Sequence, residues 1–330
     1  MSVKLSNKQV KAEAKKFGFF ACGIARAEAI AEDEAAYYRE SIRRGYIADM
    51  DYLAKNVEKR LDPRLLVEGT RSIISVALNY TPSAQQHADS YHLAAYALGK
   101  DYHDVMRERL TALAKQLNLN SFRVFCDTAP VKERYWAWKA GLGWIGRNHQ
   151  LIIPNAGSMF FLGEIFTDEI FDYDEPQASR CGNCRKCIDH CPTGALHSAE
   201  DETYAVAAKR SWFDARRCLS YLTIENRGAI PDEFAACMGD FIYGCDRCQT
   251  ACPHQRLAKP NDIAAFQPSE ALLDMTKEAW QNLDVETYRN LFRGSAVKRA
   301  KFDGLKRNID AVVKHNKTCK QKNDNDITSN

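Results

Sequence analysis

Cys181, Cys184, Cys187 and Cys191 stand in the order C-x₂-C-x₂-C-x₃-C, and Pro192 follows. A shorter copy comes later, with Cys245, Cys248 and Cys252 ahead of Pro253. Thiolates at these intervals wrap a loop around an iron–sulfur cube, while the Cys before the Pro reaches across to the other cluster. The exchange predicts one cluster on Cys181, Cys184, Cys187 and Cys252. The other takes Cys191, Cys245, Cys248 and one more thiolate. A ferredoxin would put that last ligand at position 242, where Ile242 stands, so Cys218 and Cys237 are the candidates. Structural zinc also favours paired C-x₂-C, but gives no reason for two Cys-Pro endings at matching offsets. Two clusters imply chemistry by single electrons.

The surrounding composition agrees with this. The chain has twelve Cys in 330 residues. Its N-terminus, MSVKLSNKQVKAEAKKF, is a polar helix pattern rather than a secretory apolar stretch. A reducing, cytoplasmic setting follows, with cysteines for metal rather than disulfides. Hydrophobic content is 45%, and no apolar run approaches the ~18 residues of a membrane span. Net charge is only +3, but it is uneven. Between Phe292 and Lys322, ten Lys or Arg face two Asp, a local balance of +8. Such a run is either a solvated helix face or a phosphate contact.

The elements that must position the cysteines read as follows. Helices are expected over 7–17, 32–44, 102–119 and 131–140, and buried strands over 72–80, 122–126, 151–153 and 159–166. The last two strands suggest a hairpin across Pro154 to Gly157. This is an α/β (α+β) region of residues 1–173. A two-cluster ferredoxin-like module, with an inserted loop of about fifty residues between its Cys runs, occupies 174–258. A short helical, basic C-terminal region fills 259–330, with one helix from Val297 to Val313, Ser295 as its N-cap and a disordered tail.

Three smaller patterns have two readings each. Gly141-x-Gly-x-x-Gly146 matches a dinucleotide fingerprint, but a helix precedes it, so a tight turn beside a cofactor or substrate fits better. Asp101-Tyr102-His103 starts a cobalamin-ligating signature that fails at Met106. Its alternatives are a helix-start His and a pocket wall. Asp127 follows a strand, and Pro130 stands where a helix could begin. Asp127 is then either an N-cap or a carboxylate at a ligand crevice.

Five stretches together resemble epoxyqueuosine reductase: DTAPVKERYWAWKAGLGWIGRN (127–148), the Cys run at 181–192, RCLSYLTIENRGAIP (217–231), MGDFIYGCDRCQTACP (238–253) and FRGSAVKRAKFDGLKRNI (292–309). YALGKDYH (96–103) fits as well, so the resemblance covers nearly the whole chain. It implies an oxidoreductase that reduces the epoxide of epoxyqueuosine, at the wobble position of tRNA, to queuosine, the last step in making that nucleoside. It implies cobalamin and two [4Fe–4S] clusters, with residues 1–173 as the cobalamin-binding domain and a kinship to reductive dehalogenases. It makes Asp127 the proton donor and Cys218 the eighth cluster ligand, leaving Cys237 as a structural thiol. Arg60, Tyr102, His103, Asp127, Arg134, Asn148, Ser220 and Glu225 become cofactor-pocket residues by the same resemblance. Many family members continue into a HEAT-like repeat after the basic helix. Here about twenty residues follow, so Lys298, Arg299, Lys301, Lys306 and Arg307 are expected to carry more of the tRNA contact.

These parts make chemical sense together. Removing an epoxide oxygen takes two electrons and two protons. For Asp127 to protonate the leaving oxygen, its pKa must be raised. A monomer served by an external low-potential donor, such as ferredoxin or flavodoxin, is expected. The alternatives are a corrinoid dehalogenase-like enzyme acting on a small molecule, and a plain electron carrier. The basic tail weighs against the first and the large N-terminal region against the second.

Overall fold

The computed structural model describes residues 6–197 and 211–327. Its N-terminal part is built on two strands, Ser72–Asn79 and Phe160–Thr167, that are buried almost end to end. Nearly unbroken apolar runs of this kind belong inside a sheet covered on both faces. The sheet has four antiparallel strands in the order Ala21–Arg26, Ser72–Asn79, Phe160–Thr167, Phe122–Phe125. Alternation along each strand divides its side chains between two layers. Ile74, Val76 and Leu78 pack with Val10 and Ala14 of the Asn7–Lys16 helix and with Met106, Leu110 and Leu113 of the Tyr102–Gln116 helix. Ile73 and Ala77 face Ala35 and the Tyr135, Trp136 and Ala137 surface of the Glu133–Lys139 helix. With every pairing within this sheet antiparallel, the N-terminal part is α+β.

The expected hairpin across Pro154 to Gly157 does not form. Leu151–Ile152 pairs with Trp144–Ile145 instead. Phe160–Thr167 is already bonded on both sides, and a central strand has no edge left to offer. A single bridge, Ile153 to Gly157, is all that joins the two segments.

A second core gathers Tyr91, Leu93 and Leu98 with Leu219, Ile242, Trp280, Phe292, Leu305, Ile309 and Val312. His92–Leu93 pairs in parallel with Phe241–Tyr243, which ties the 91–98 segment to the cluster module. The basic helix differs from expectation at both ends. Ala296–Ala300 is a 3₁₀ turn, and Lys301, at φ 60°, breaks it from the Lys301–Ile327 helix. Ser295 does cap that turn, accepting from the Val297 N–H. The helix then continues past Val313, where a disordered tail was expected. No Gly or Pro after Gly304 stops it, and its Lys and Gln residues are good helix formers. Residues 328–330 of that tail lie outside the described residues. No described helix is long and apolar enough to cross a membrane.

Candidate functional site

The cysteines fall into two sets of mutual electrostatic influence. Cys187 lies in the electrostatic field of Cys181 and Cys252, and Cys252 in that of Cys181 and Cys184. Cys248 lies in the field of Cys218, Cys245 and Cys191, and Cys218 in that of Cys245 and Cys191. Burial first, and then the neighbouring thiols, push Cys187 and Cys218 up to about 11. Binding iron would replace these protons and relieve the crowding. Cys237 stands apart, its thiol turned to the Glu233 carbonyl at 3.4 Å. Among the described residues, no three His, Cys, Asp or Glu side chains converge as a single-ion site would require. The donor chemistry, four thiols and four thiols, fits two cubes.

Short helical turns aim these thiols. The Cys184 N–H bonds the Cys181 carbonyl, and the turns Lys186–Asp189 and Arg247–Thr250 lead into Cys191 and Cys252. The Arg247 guanidinium holds the second loop by donating to the carbonyls of Cys237 and Met238. The two fours differ in setting. The Cys181 four is the outer one: Gly182, Asn183, Arg185 and Lys186 in its loop are all exposed. The Trp144 indole N–H donates to Cys181 Sγ at 3.4 Å and closes its inward side. The Cys218 four is the inner one. Cys248 acts on Tyr80, which accepts a hydrogen bond from Gln249 Nε2 at 3.1 Å.

From Tyr80 a stack of rings leads to Asp127. Tyr80 meets Phe161 at 4.5 Å, Phe161 meets Tyr102 at 4.3 Å, and Tyr102 meets His103 at 4.1 Å between centroids. The Tyr102 hydroxyl donates to Asp127 Oδ2 at 2.6 Å. His103 Nε2 lies 3.6 Å from the same oxygen, while its Nδ1 lies 2.6 Å from Asp101 Oδ1. Asp101 also caps the helix, accepting from the His103 N–H. The Asp101–His103 motif is therefore a helix start that aims an imidazole at Asp127.

Asp127 is not an N-cap, and Pro130 does not begin a helix. The helix starts at Glu133, with Lys132 at the cap position. Asp127 instead takes a left-handed conformation, φ 54°, and its backbone N–H donates to the Glu133 carboxyl. Asp is among the few residues that adopt this region at modest strain. Its side chain is 61% exposed. The expectation of a raised Asp127 pKa does not hold. Surrounding protein raises it, but hydrogen bonds from His103 and Tyr102, with the His103 and Arg134 charges, outweigh that and hold it below the usual carboxylate range. Burial lowers His103 in turn, yet its bonds to Asp101 and Asp127 prevail and lift it to about 9. At neutral pH the proton of this pair therefore sits on the imidazole.

Two acids behind Asp127 were missed by the sequence reading. Burial, then the Asp127 charge, raise Glu133 to about 8. Glu164 is 0% exposed, with neither oxygen hydrogen-bonded, and burial raises it well above the ordinary range. It pairs in register with Ser75, whose hydroxyl is also unpartnered. The signal for Glu164 was one acid inside the apolar strand FFLGEIFT.

The remaining pocket candidates separate into two places. Tyr52, 47% exposed, lies within electrostatic reach of Glu225, Asp127, Arg299 and Arg60. With Tyr102, His103 and Arg134, these are the aromatic and charged groups whose fields meet around Asp127. Arg60 is 9% exposed and has an unpartnered Nε. Its guanidinium turns instead to the Val131 carbonyl, at 3.5 Å from Nη1, and to the Tyr38 ring. Asn148 and Ser220 belong to the inner four instead. Asn148 Nδ2 donates to the Cys248 carbonyl at 3.2 Å, and the Ser220 N–H bonds the Cys218 thiol. The glycines of Gly141–Gly146 let the chain turn tightly and approach itself closely. Gly141 has φ 78°, and a Cβ on Gly143 would sit 2.1 Å from the Ile152 carbonyl.

The basic candidates also divide. Lys298 and Lys301 are exposed. Arg299 pairs with Glu225 through two bonds of 2.9 and 2.8 Å. Lys306 donates to the Gln281 carbonyl at 2.5 Å. Arg307 donates to the carbonyls of Asn226, Gly228 and Leu222, so it fastens the helix to the module rather than facing outward.

Comparison with known proteins gives the family. Residues 60–128 match the family model described as epoxyqueuosine reductase QueG, DUF1730. Residues 180–255 match a 4Fe-4S double cluster binding domain. The epoxyqueuosine reductase of Cellulophaga algicola is 40% identical over 305 residues, covering 91% of this chain and 96% of its own. That of Pseudomonas aeruginosa is 38% identical over 311 residues, covering 91% and 82%. Among solved structures, an epoxyqueuosine reductase with a tRNA-Tyr epoxyqueuosine-modified stem loop superposes with a TM-score of 0.81 at 27% identity, covering 93% of this chain and 80% of that one. The Streptococcus thermophilus enzyme gives 0.80 at 27% identity, covering 98% and 86%. Near-full-length identity of this degree leads to one conclusion: the chain belongs to the epoxyqueuosine reductase family.

Proposed function

We propose that this chain removes the epoxide oxygen of epoxyqueuosine at the wobble position of tRNA, using electrons that enter the outer cluster, cross the inner one and reach cobalamin seated in a hollow beside Asp127. Both C–O bonds break, the alkene forms, and the oxygen leaves as water after taking two electrons and two protons. The observation that carries the reading is one continuous arrangement: eight thiols in two fours, joined through Tyr80, Phe161 and Tyr102 to an exposed acid–imidazole pair. Bound cobalamin would supply a strongly reducing cobalt centre. Arg60, Tyr52, Arg134 and Glu225 are the residues to hold it and the nucleoside.

The chain's own task is the proton. Asp127 stands open to the hollow, and His103 carries the proton beside it. His103 delivers that proton through Asp127 to the leaving oxygen, and solvent reprotonates His103 for the second proton that completes water. Covering the hollow with ligand excludes water and strengthens the pair's interaction.

The pair sets a pH dependence. His103 in the folded protein is raised from 6.5 to about 9, so its imidazolium is complete below neutrality and is lost as pH rises through about 9. Single-turnover rate is expected to fall over that alkaline range. In His103→Gln the alkaline limb should disappear and the rate should be lower throughout. An unchanged profile would remove His103 from the proton path.

For RNA, Lys298 and Lys301 are the exposed contacts. Lys298→Ala with Lys301→Ala should weaken stem-loop binding and reduce the salt slope by about 1–2. Arg307→Ala should instead lower folding stability by about 2–4 kcal/mol through three abandoned carbonyls. A salt slope unchanged in the double lysine variant would move the RNA face elsewhere.

The whole reading is tested by anaerobic reconstitution with iron, sulfide and cobalamin, followed by mass analysis of an epoxyqueuosine stem loop after reduction. Loss of one oxygen, dependent on cobalamin, is expected. Reduction of the nucleoside by protein without corrinoid would overturn the cobalamin part.

A further inference from the structure

We infer that the basic face around the outer four cysteines is the docking surface for an acidic, low-potential one-electron carrier protein. The inference rests on the proposed electron route and adds the place where electrons enter. Among the described residues of 180–197 and 252–257, Arg180, Arg185, Lys186 and Arg256 are opposed by one acid, Asp189. Arg147 joins them, donating from Nη2 to the Gly182 carbonyl at 2.9 Å inside the ligand loop. The Arg180 guanidinium lies 5.6 Å from the centre of the Trp144 ring, whose N–H touches Cys181 Sγ. Asp189 reaches only Arg185, at 3.6 Å between exposed side chains. An exposed pair of this kind contributes about 0–1 kcal/mol and leaves most of the positive field standing.

Position and charge favour a protein carrier. Exposed residues flank Cys184 on both sides, so the cluster edge lies near solvent there, whereas the inner loop has buried Asp246 and Gln249 around Cys248. Leu257, 56% exposed, adds an apolar contact beside Arg256. A positive rim steers an acidic partner into orientation and raises its association rate by about 10–10³-fold, an effect that salt screens over about 8 Å at physiological strength. The step itself balances: the carrier's reduced cofactor loses one electron, and the outer cluster gains it.

The test uses reconstituted full-length protein, with flavodoxin as the acidic probe. Two variants are compared with the native chain at matched iron content: Arg185→Glu with Lys186→Glu, and Arg256→Glu, which leaves the first ligand loop untouched. Binding of oxidised flavodoxin is followed by calorimetry, and cluster bleaching by reduced flavodoxin or dithionite by stopped flow. Both variants should bind flavodoxin more weakly, take electrons from it about tenfold or more slowly, and lose salt dependence, while dithionite reduction stays unchanged. Flavodoxin binding and rates within about twofold of native in both variants would overturn the assignment. Weaker stem-loop binding with unchanged flavodoxin kinetics would overturn it too, and mark the face as an RNA surface. A native protein whose clusters accept electrons from flavodoxin yet deliver none to the nucleoside would count against the electron route and leave the docking surface standing.

Discussion

Asp127→Asn is expected to keep both clusters and to lose about 10²–10⁴-fold in single-turnover rate. The substitution leaves shape and hydrogen-bond acceptance nearly intact. Its amide oxygen can still take the Tyr102 hydroxyl, and its backbone N–H can still reach Glu133. What disappears is one of the two negative charges that hold the proton on His103, the other being Asp101, and the ability to pass a proton at all. Two readouts therefore move together. Turnover falls, and the His103 pKa, followed by NMR, drops from about 9 toward its ordinary value. Turnover near native, with a lowered His103 pKa, would reduce Asp127 to a loop residue that merely tunes its neighbour. Asp127→Glu offers a further check. The longer acid keeps the charge but shifts the proton, so partial recovery is expected.

Cys218→Ala is expected to halve the iron, from about eight to about four atoms per chain, while Cys237→Ala keeps about eight. The physical ground is the field that Cys218 shares with Cys191, Cys245 and Cys248, against the isolated turn of Cys237 toward Glu233. Cys218→Ala removes one thiolate from the inner four and should leave the outer four populated. Electron paramagnetic resonance after reduction should then show one cluster signal in place of two interacting ones. Iron retained in Cys218→Ala and lost in Cys237→Ala would reverse the assignment.

The periodic segments were legible because local pattern decides them. Ser72–Asn79 and Tyr102–Gln116 lie within a few residues of their expected bounds, one a continuous apolar run and the other an amphipathic repeat. The cysteine spacing was legible for a similar reason: three thiols within seven residues need only local turns to face one cube. Segments whose partners lie far away in sequence were harder. The hairpin failed because Phe160–Thr167 found two better edges, at Ser72–Asn79 and Phe122–Phe125. The basic run looked like one surface, yet Arg307 turned inward because the carbonyls of Asn226, Gly228 and Leu222 were waiting there.

Sequence by itself pointed to the ligand types and to their grouping by the Cys-Pro offsets, and it left Cys218 and Cys237 both open as the eighth thiol until the family resemblance favoured Cys218. It also pointed to Asp127, but with the wrong charge. Only the tertiary structure decided that charge, because it depends on contacts from two segments: Asp101, Tyr102 and His103 at the start of one helix, and Arg134 on another. A pKa is set by the sum of burial and nearby charges, and neither is written in any one stretch of the chain. Spacing along the chain can show which groups could hold iron. Where a proton rests depends on what the folded chain brings within a few ångströms of it.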